Sequence, residues 1–407
     1  MNPSTSQPSV DPAFLYQREP RYFATCAPGL EEWGGVELEE LGATEVQPGY
    51  RGFHFQADAR ALYGICYGAR LFSRVLAPLV RFDCHHTKTL YRRAHDLPWE
   101  ALLGLDHTFA VQAVTTHSTI RHARYAALCV KDAVADRFRE REGRRPDVDA
   151  RRPDVALHLY LRHNHAVLSL DLSGGSLHRR GYRLATVDAP LQETLAAAIV
   201  RASGWQGDRP LIDPFCGSGT LLCEAWMSAC RIPAGYLRAG FGLAQLPDYD
   251  PDLWQSLRAE MDAHIAVPPG LTVRGGDRDP AAVAAARTNL AQLPGGDRVA
   301  VEQADADDLP GWTDAVIVTN PPYGVRLGDA DAAAAQLGRF GDRLKQRCPG
   351  CLAYVYFGDD RAVKALGLKP DWKKELSNGG LDGRLCRYTL FAGQADRARF
   401  RSLKQTG

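Results

Sequence analysis

From residue 210 to residue 357 the chain alternates short apolar runs with helical stretches. That alternation restricts this part to a doubly wound α/β layer with a parallel sheet. The pattern predicts strands over 210–213, 271–275, 299–303, 314–319 and 352–357, and helices over 220–230, 279–293 and 329–347. Ligands of such sheets bind outside the carboxyl ends of the strands, so the chemistry belongs in the loops that follow them.

Four such loops carry polar or glycine-rich signals. In Asp213-Pro214-Phe215-Cys216-Gly217-Ser218-Gly219-Thr220 a strand ends in an acid and turns through two glycines into a helix, where backbone can approach a ligand closely. The spacing is neither the dinucleotide fingerprint nor a Walker loop, and an acid before the glycines suits an ammonium group better than a pyrophosphate. The second loop places Asp277 where a carboxylate can accept from ribose hydroxyls, while Asp279 before Pro280 is read as a helix cap. In the third, Asp305 can accept from an adenine amino group, although Asp307 and Asp308 offer equal chemistry. The fourth is Asn320-Pro321-Pro322-Tyr323-Gly324. An exocyclic amine on a nucleobase is a poor nucleophile because its lone pair is conjugated into the ring. An amide oxygen and a proline carbonyl held by rigid backbone can accept both amine hydrogens and aim the lone pair at a methyl group. Tyr323 supplies a flat face for stacking.

The N-terminal half is organised differently. Residues 1–20, rich in Pro, Ser and Gln, read as a disordered tail, and residues 21–80 as a small α/β unit with an antiparallel sheet. The 49 Lys and Arg nearly balance the 48 Asp and Glu, which by itself speaks against a nucleic-acid partner. The charge is unevenly spread: residues 1–80 carry net −3, residues 81–184 net +6, and the remainder net −2. A helix over 121–141 with an apolar face of Ala127, Leu128, Val130, Val134 and Phe138 holds much of the surplus. Its cations are Arg121, Arg124, Lys131, Arg137, Arg139 and Arg141, with Arg144 and Arg145 just beyond. They are either a solvated face or a surface for RNA or DNA. Arg162-His163-Asn164-His165 reads as a hairpin turn.

Ten scattered cysteines fit free thiols in a reducing cytoplasm, and no apolar run approaches a membrane span. Cys348-Pro349-Gly350-Cys351 lacks a second ligand pair for zinc and reads as a Pro-Gly turn, so no metal is expected.

Residues 213–220 with Asn320 to Tyr323 resemble the S-adenosylmethionine-dependent amino-methyltransferases. Ser176-Leu177-His178-Arg179-Arg180-Gly181-Tyr182-Arg183 and Ala189-Pro190-Leu191-Gln192-Glu193-Thr194-Leu195 narrow this. With them the chain resembles the THUMP-containing guanosine N2-methyltransferases of bacterial 23S ribosomal RNA, from about Tyr22 to Phe391. The resemblance implies a ferredoxin-like unit over 21–80, a THUMP RNA-binding domain over 81–184, a Rossmann-like class I methyltransferase domain over 185–395, and a tail over 396–407. It implies S-adenosyl-L-methionine as cofactor, bound by Pro190, Glu193, Thr194, Asp213, Phe215, Cys216, Gly217, Gly219, Thr220, Asp277, Asp305 and Asn320. Asn320, Pro321, Pro322 and Tyr323 would carry catalysis. Some members continue into a second methyltransferase domain; because this chain stops at Gly407, a second activity is not expected. Transfer RNA is the alternative substrate, and a ribosome-assembly factor without catalysis is a reading of another class. DNA adenine and release-factor glutamine methylation share the Asn-Pro-Pro-Tyr logic.

Overall fold

The computed structural model describes residues 14–187, 190–308, 310–322 and 330–392. Two sheets organise it. The first half runs α1 (Leu15–Arg18), β1 (Arg21–Cys26), α2 (Glu31–Glu40), β2 (Thr44–Gly49), β3 (Gly52–Gln56), α3 (Ala59–Gly68), β4 (Phe72–Asp83) and α4 (Thr87–His95). It continues through β5 (Thr108–Thr116), α5 (Ala123–Glu142), β6 (Asp147–Val148), β7 (Val155–Arg162) and β8 (His165–Asp171). The second half begins with α6 (Glu193–Ser203), β9 (Leu211–Asp213), α7 (Thr220–Ala229), α8 (Pro251–Ala263), β10 (Val273–Asp277), α9 (Pro280–Leu290) and β11 (Ala300–Gln303). It ends with β12 (Val316–Thr319), α10 (Ala330–Arg347), β13 (Leu352–Phe357), α11 (Asp360–Ala365), β14 (Trp372–Asn378) and β15 (Leu381–Thr389).

The first eight strands form one sheet, in the order β2-β3-β1-β4-β8-β7-β5-β6. The sequence pattern predicts a strand over Ser73 to Leu79, ending before residue 80. In the structure β4 runs on to Asp83: its register with β8 shifts between Pro78 and Val80, and the irregularity absorbs the proline. One 12-residue strand therefore pairs with β1 on one side and β8 on the other, so the sheet is continuous across residue 80. The β7–β8 turn has His163 and Asn164 at φ 49° and 63°, the two positive values a two-residue hairpin loop needs.

Three further expectations are corrected. Residues 14–18 are not part of a disordered tail: the Phe14 and Tyr16 side chains are 0% and 1% exposed, and the Tyr16 hydroxyl donates to Asp248 Oδ1 at 2.5 Å. Two aromatics in a polar segment can be buried once a distant loop offers an acceptor. On α5 the expected Val130, Val134 and Phe138 are buried, together with Ala126, Cys129, Ala133 and Ala135, whereas Ala127 is half-buried and Leu128 is 44% exposed. The second sheet, ordered β11-β10-β9-β12-β13-β15-β14, is parallel through β13 and then closes with the antiparallel β14–β15 hairpin. The alternation of strand and helix ends before that hairpin. The chain bends as expected at Cys348 and Cys351, where Gly350 has φ 78° and both thiols are buried. Among the described residues, no helix is long and apolar enough to cross a membrane and no three His, Cys, Asp or Glu side chains gather as a metal site.

The two halves are locked by buried arginines. Arg180 donates to Glu224 of α7 at 3.2 Å, to the Leu177 carbonyl at 2.8 Å and to the Arg70 carbonyl at 2.5 Å. Arg70 in turn donates to the carbonyls of Met227 and Ile232. Both members of the Arg180–Glu224 pair are about 1% exposed, so neither charge can be rehydrated if the other is lost. Glu224→Ala is expected to lower folding stability by about 3–5 kcal/mol, measured by urea unfolding.

Candidate cofactor and substrate site

The sheet order puts β10, β9 and β12 side by side and parallel, so Asp277, Asp213 and Asn320 emerge at the same edge. Between β9 and α7 the loop is pinned at each step. The Cys216 N–H donates to the Gly276 carbonyl at 2.9 Å, the Gly217 N–H to Asp277 Oδ2 at 2.9 Å, and the Gly219 N–H to the Cys216 carbonyl at 2.8 Å. Gly217 and Gly219 have φ of 51° and 79°; at Gly219 a Cβ would also sit 3.0 Å from that of Ala286, so only glycine passes. Asp277 Oδ1 accepts from the Asp279 N–H, and Asp279 caps α9, as its place before Pro280 implies.

Asp213 is 1% exposed. Its Oδ1 accepts from the Thr319 hydroxyl at 2.7 Å and the Phe215 N–H at 3.2 Å, and it forms no ion pair among the described residues. Burial raises its carboxyl to about 7 against those hydrogen bonds, and the nearby Asp277 adds a further rise. A buried carboxylate without a cation is an unfilled electrostatic demand that a bound ammonium meets.

Other expected residues divide by what their side chains touch. Cys216 and Thr220 are buried in the loop and the first turn of α7. The ring of Phe215 is half-buried and stands edge-on to that of Phe340, centroids 5.0 Å apart. Thr194 is buried in α6, and Glu193 accepts from Arg183 at 2.9 Å. Pro190 lies at the rim of a cleft of about 540 Å3, together with His178, Arg179, Arg183, Gln192 and Glu193. Past β11, Asp307 pairs with Arg339 at 2.6 Å and Asp308 is exposed, whereas Asp305 is half-buried and its Oδ1 accepts from the Asp307 N–H. Asn320 follows β12, and its Oδ1 is buried with no hydrogen-bond partner among the described residues. Pro321 is buried and Pro322 exposed. Tyr323 lies outside the described residues, as do residues 396–407 and Ala189.

Two organising side chains escape sequence reasoning as site residues. Arg183 donates to Glu193, to the Leu191 carbonyl, to Ser218 and to Thr220, tying the start of α6 to the glycine loop. Asn289, fully buried near the end of α9, accepts from the Leu184 and Ala185 N–H groups and donates to the carbonyls of Ala185 and Ser218. An asparagine inside a helix gives no such signal in sequence. Its partners lie more than seventy positions away.

A model of the RMKL-like methyltransferase domain matches residues 180–387, a THUMP domain residues 84–171 and an RlmL ferredoxin-like domain residues 21–76. The chain belongs to the RMKL-like methyltransferase family. A Synechocystis protein provisionally named as an RNA methyltransferase, slr0064, is 38% identical over 91% of this chain and 97% of its own length. The ribosomal RNA large subunit methyltransferase K/L of Syntrophotalea carbinolica is 40% identical over 91% of this chain, yet over 53% of its own. The chain thus spans about half the length of that relative. Among solved structures, SMU.472, provisionally described as a methyltransferase and complexed with SAH, superposes with TM-score 0.80 at 27% identity, covering 92% of this chain and 99% of its own. A Listeria monocytogenes protein described as a predicted N6-adenine-specific DNA methylase gives 0.79 at 30% identity, covering 91% and 96%.

The cofactor of this methyltransferase domain is S-adenosyl-L-methionine. The unpaired Asp213 carboxylate and the glycine loop fit its ammonium-bearing methionine end.

Two outcomes follow from this geometry. Replacing Asn289 with Ala leaves two N–H groups and two carbonyls without their partner, and is expected to cost about 1–3 kcal/mol per group left buried and unpaired, read as a lowered Tm. Because the folded carboxyl of Asp213 is raised above its ordinary 3.8, its contribution to stability is fully present below that pH and is lost as pH rises through about 7. Without cofactor, wild-type stability should fall relative to Asp213→Asn across that window. A parallel pair of pH profiles in urea unfolding would remove Asp213 as the cause.

Proposed function

We propose that this chain methylates the exocyclic N2 amine of a guanosine in 23S ribosomal RNA. The observation that carries the chemistry is the buried, unpartnered Asn320 Oδ1 at the end of β12, beside the glycine loop on the neighbouring strand. It is an acceptor with its desolvation cost already met and no donor among the described residues, which suits an incoming amine N–H. The Pro321 carbonyl takes the second hydrogen, and the two prolines restrict the backbone that presents both acceptors. Tyr323 gives the stacking face for a guanine turned out of its helix.

Asp213 and the Gly217 to Gly219 loop hold the methionine end of the cofactor, Asp277 its ribose and Asp305 its adenine. Cys216, Phe215 and Thr220 shape the loop, while Pro190, Glu193 and Thr194 close the pocket. The cofactor supplies an electrophilic methyl on a positively charged sulfur. The guanine nitrogen forms the new N–CH3 bond as the S–CH3 bond breaks and its electron pair stays on sulfur. The cationic amine then yields its proton to water, so no dedicated base is required, and positioning dominates the rate.

RNA as substrate is supported by the names of the K/L and Synechocystis relatives and by the net +6 of residues 81–184. The free thiols suit the reducing cytoplasm where ribosomes are made. The name of the Listeria structure favours a second reading, adenine N6 methylation of DNA, which uses the same amine logic. Nucleoside mass spectrometry of 23S and transfer RNA, with and without the protein, separates these readings. Loss of one N2-methylguanosine from 23S RNA is expected; loss from transfer RNA alone, or of N6-methyladenine from DNA, would replace the proposal. Asn320→Ala should slow single-turnover methylation by about 10²-fold or more while calorimetric binding of S-adenosylmethionine persists. Unchanged turnover would remove Asn320 from catalysis.

A further inference from the structure

Cations of the N-terminal sheet and its helices differ in whether a carboxylate engages them. On and beside α5, Lys131, Arg137, Arg139, Arg141 and Arg144 are engaged by carboxylates, those of Asp132, Glu100, Asp136, Glu100 and Asp106 respectively, whereas Arg124 and Arg145 have no carboxylate partner among the described residues. A phosphate arriving at the five paired cations must displace an acid. Arg21, Arg81 and Arg162 have no carboxylate partner among the described residues, and all three lie on the sheet.

The register puts them on the same face. Phe23 stands opposite His54 and Leu76, Leu76 opposite Asp171, Arg81 opposite Val167, Val167 opposite Tyr160, and Arg162 opposite His165. Side chains alternate along a strand, so Arg21 and Phe23 share this face, as do Tyr160 and Arg162. Arg21 and Arg81 both act on His54, holding its imidazole low after burial. The opposite face is the core of Phe53, Val75, Ala77, Leu159 and Leu168.

This open face is a trough. Tyr50 sits in the β2–β3 turn, yet the Arg162 guanidinium lies 4.8 Å from its ring centroid with β3, β1, β4 and β8 between their strands. In a flat sheet roughly 19–24 Å would separate them, so the sheet curls toward this side. Tyr50 remains 51% exposed, and Arg81 is exposed beside it. His158 Nδ1 is buried on the same face without a partner among the described residues. Arg121 adjoins the same end, because Thr115 donates to its carbonyl and Thr116 pairs with Arg162.

We propose that single-stranded RNA docks in this trough, with a base stacked on the exposed side of Tyr50 and phosphates held by Arg81 and Arg162. An aromatic ring backed by a guanidinium stacks any base, and cations without acidic partners take phosphates without competition. The proposal rests on the RNA reading above and specifies which surface of the protein grips the strand. It moves that surface from the charged helix, where composition pointed, to the sheet.

The test uses full-length protein and a fluorescein-labelled single-stranded oligoribonucleotide, with affinity read by fluorescence anisotropy over a salt series. Tyr50→Ala should weaken binding roughly tenfold, and Tyr50→Phe should restore it because the ring is what stacks. Arg81→Ala with Arg162→Ala should lower the slope of log affinity against log salt by about 1.4, the share of two phosphates on a single strand. Arg139→Ala with Arg144→Ala on the helix should leave both quantities unchanged, and thermal melts with calorimetric cofactor binding verify that each variant is folded. Sheet variants that bind like wild type, or a helix variant that loses as much, overturn the trough while leaving the RNA reading in place. Wild-type protein that binds no RNA overturns both.

Discussion

The pair Arg180–Glu224 is the interaction on which the arrangement of the molecule depends. It stands where the linker leaves the eight-stranded sheet and enters the methyltransferase domain, and Arg180 also caps backbone carbonyls on both sides of itself. A buried charge pair earns little stability against a well-packed apolar substitute. Its value lies in direction: guanidinium and carboxylate satisfy each other in few geometries, so the two halves are held in one relation. Arg238 strengthens that fixity by donating to the carbonyls of Ser173, Ser176 and Arg179 in the same linker.

From that linker the constraint passes into the site. Tyr182 donates to Glu224, and Arg183, next in sequence, ties Glu193 and the Leu191 carbonyl to Ser218 and Thr220. At the same end of α6, the Gln192 N–H donates to Asn378 at the tip of the β14–β15 hairpin. The segment that joins the domains is thus also the segment that shapes the rim of the cofactor site. A rigid rim matters because methyl transfer depends on the alignment of donor and acceptor.

Much of this was legible in the sequence, for a physical reason. Loops at the ends of parallel strands must turn sharply beside a ligand, so they need glycine, proline and short acids, and Asp213 to Thr220, Asp277 and Asn320 to Pro322 announce themselves by residue type. Buried strands such as Val316–Thr319 and Leu352–Phe357 likewise need only local composition. What escaped were partners distant in the chain. Nothing near Tyr16 indicates Asp248, and nothing near Asn289 indicates Ser218. The irregularity at Pro78 that carries β4 across the expected boundary exists because β8 is there to pair with the rest of the strand.

Charge shows the same division. The sequence by itself determined the two fold classes, the glycine loop after Asp213, the Asn-Pro-Pro turn after a buried strand and the existence of a basic half, because each follows from which residues are present and their spacing. Only the tertiary structure decided which cations are free. Arg137 and Arg141 share Glu100 across a helix packing contact, while Arg162 is brought to Tyr50 by the curl of a sheet. A count of charges is a property of the chain; whether a charge still has its field to offer depends on what folding places beside it.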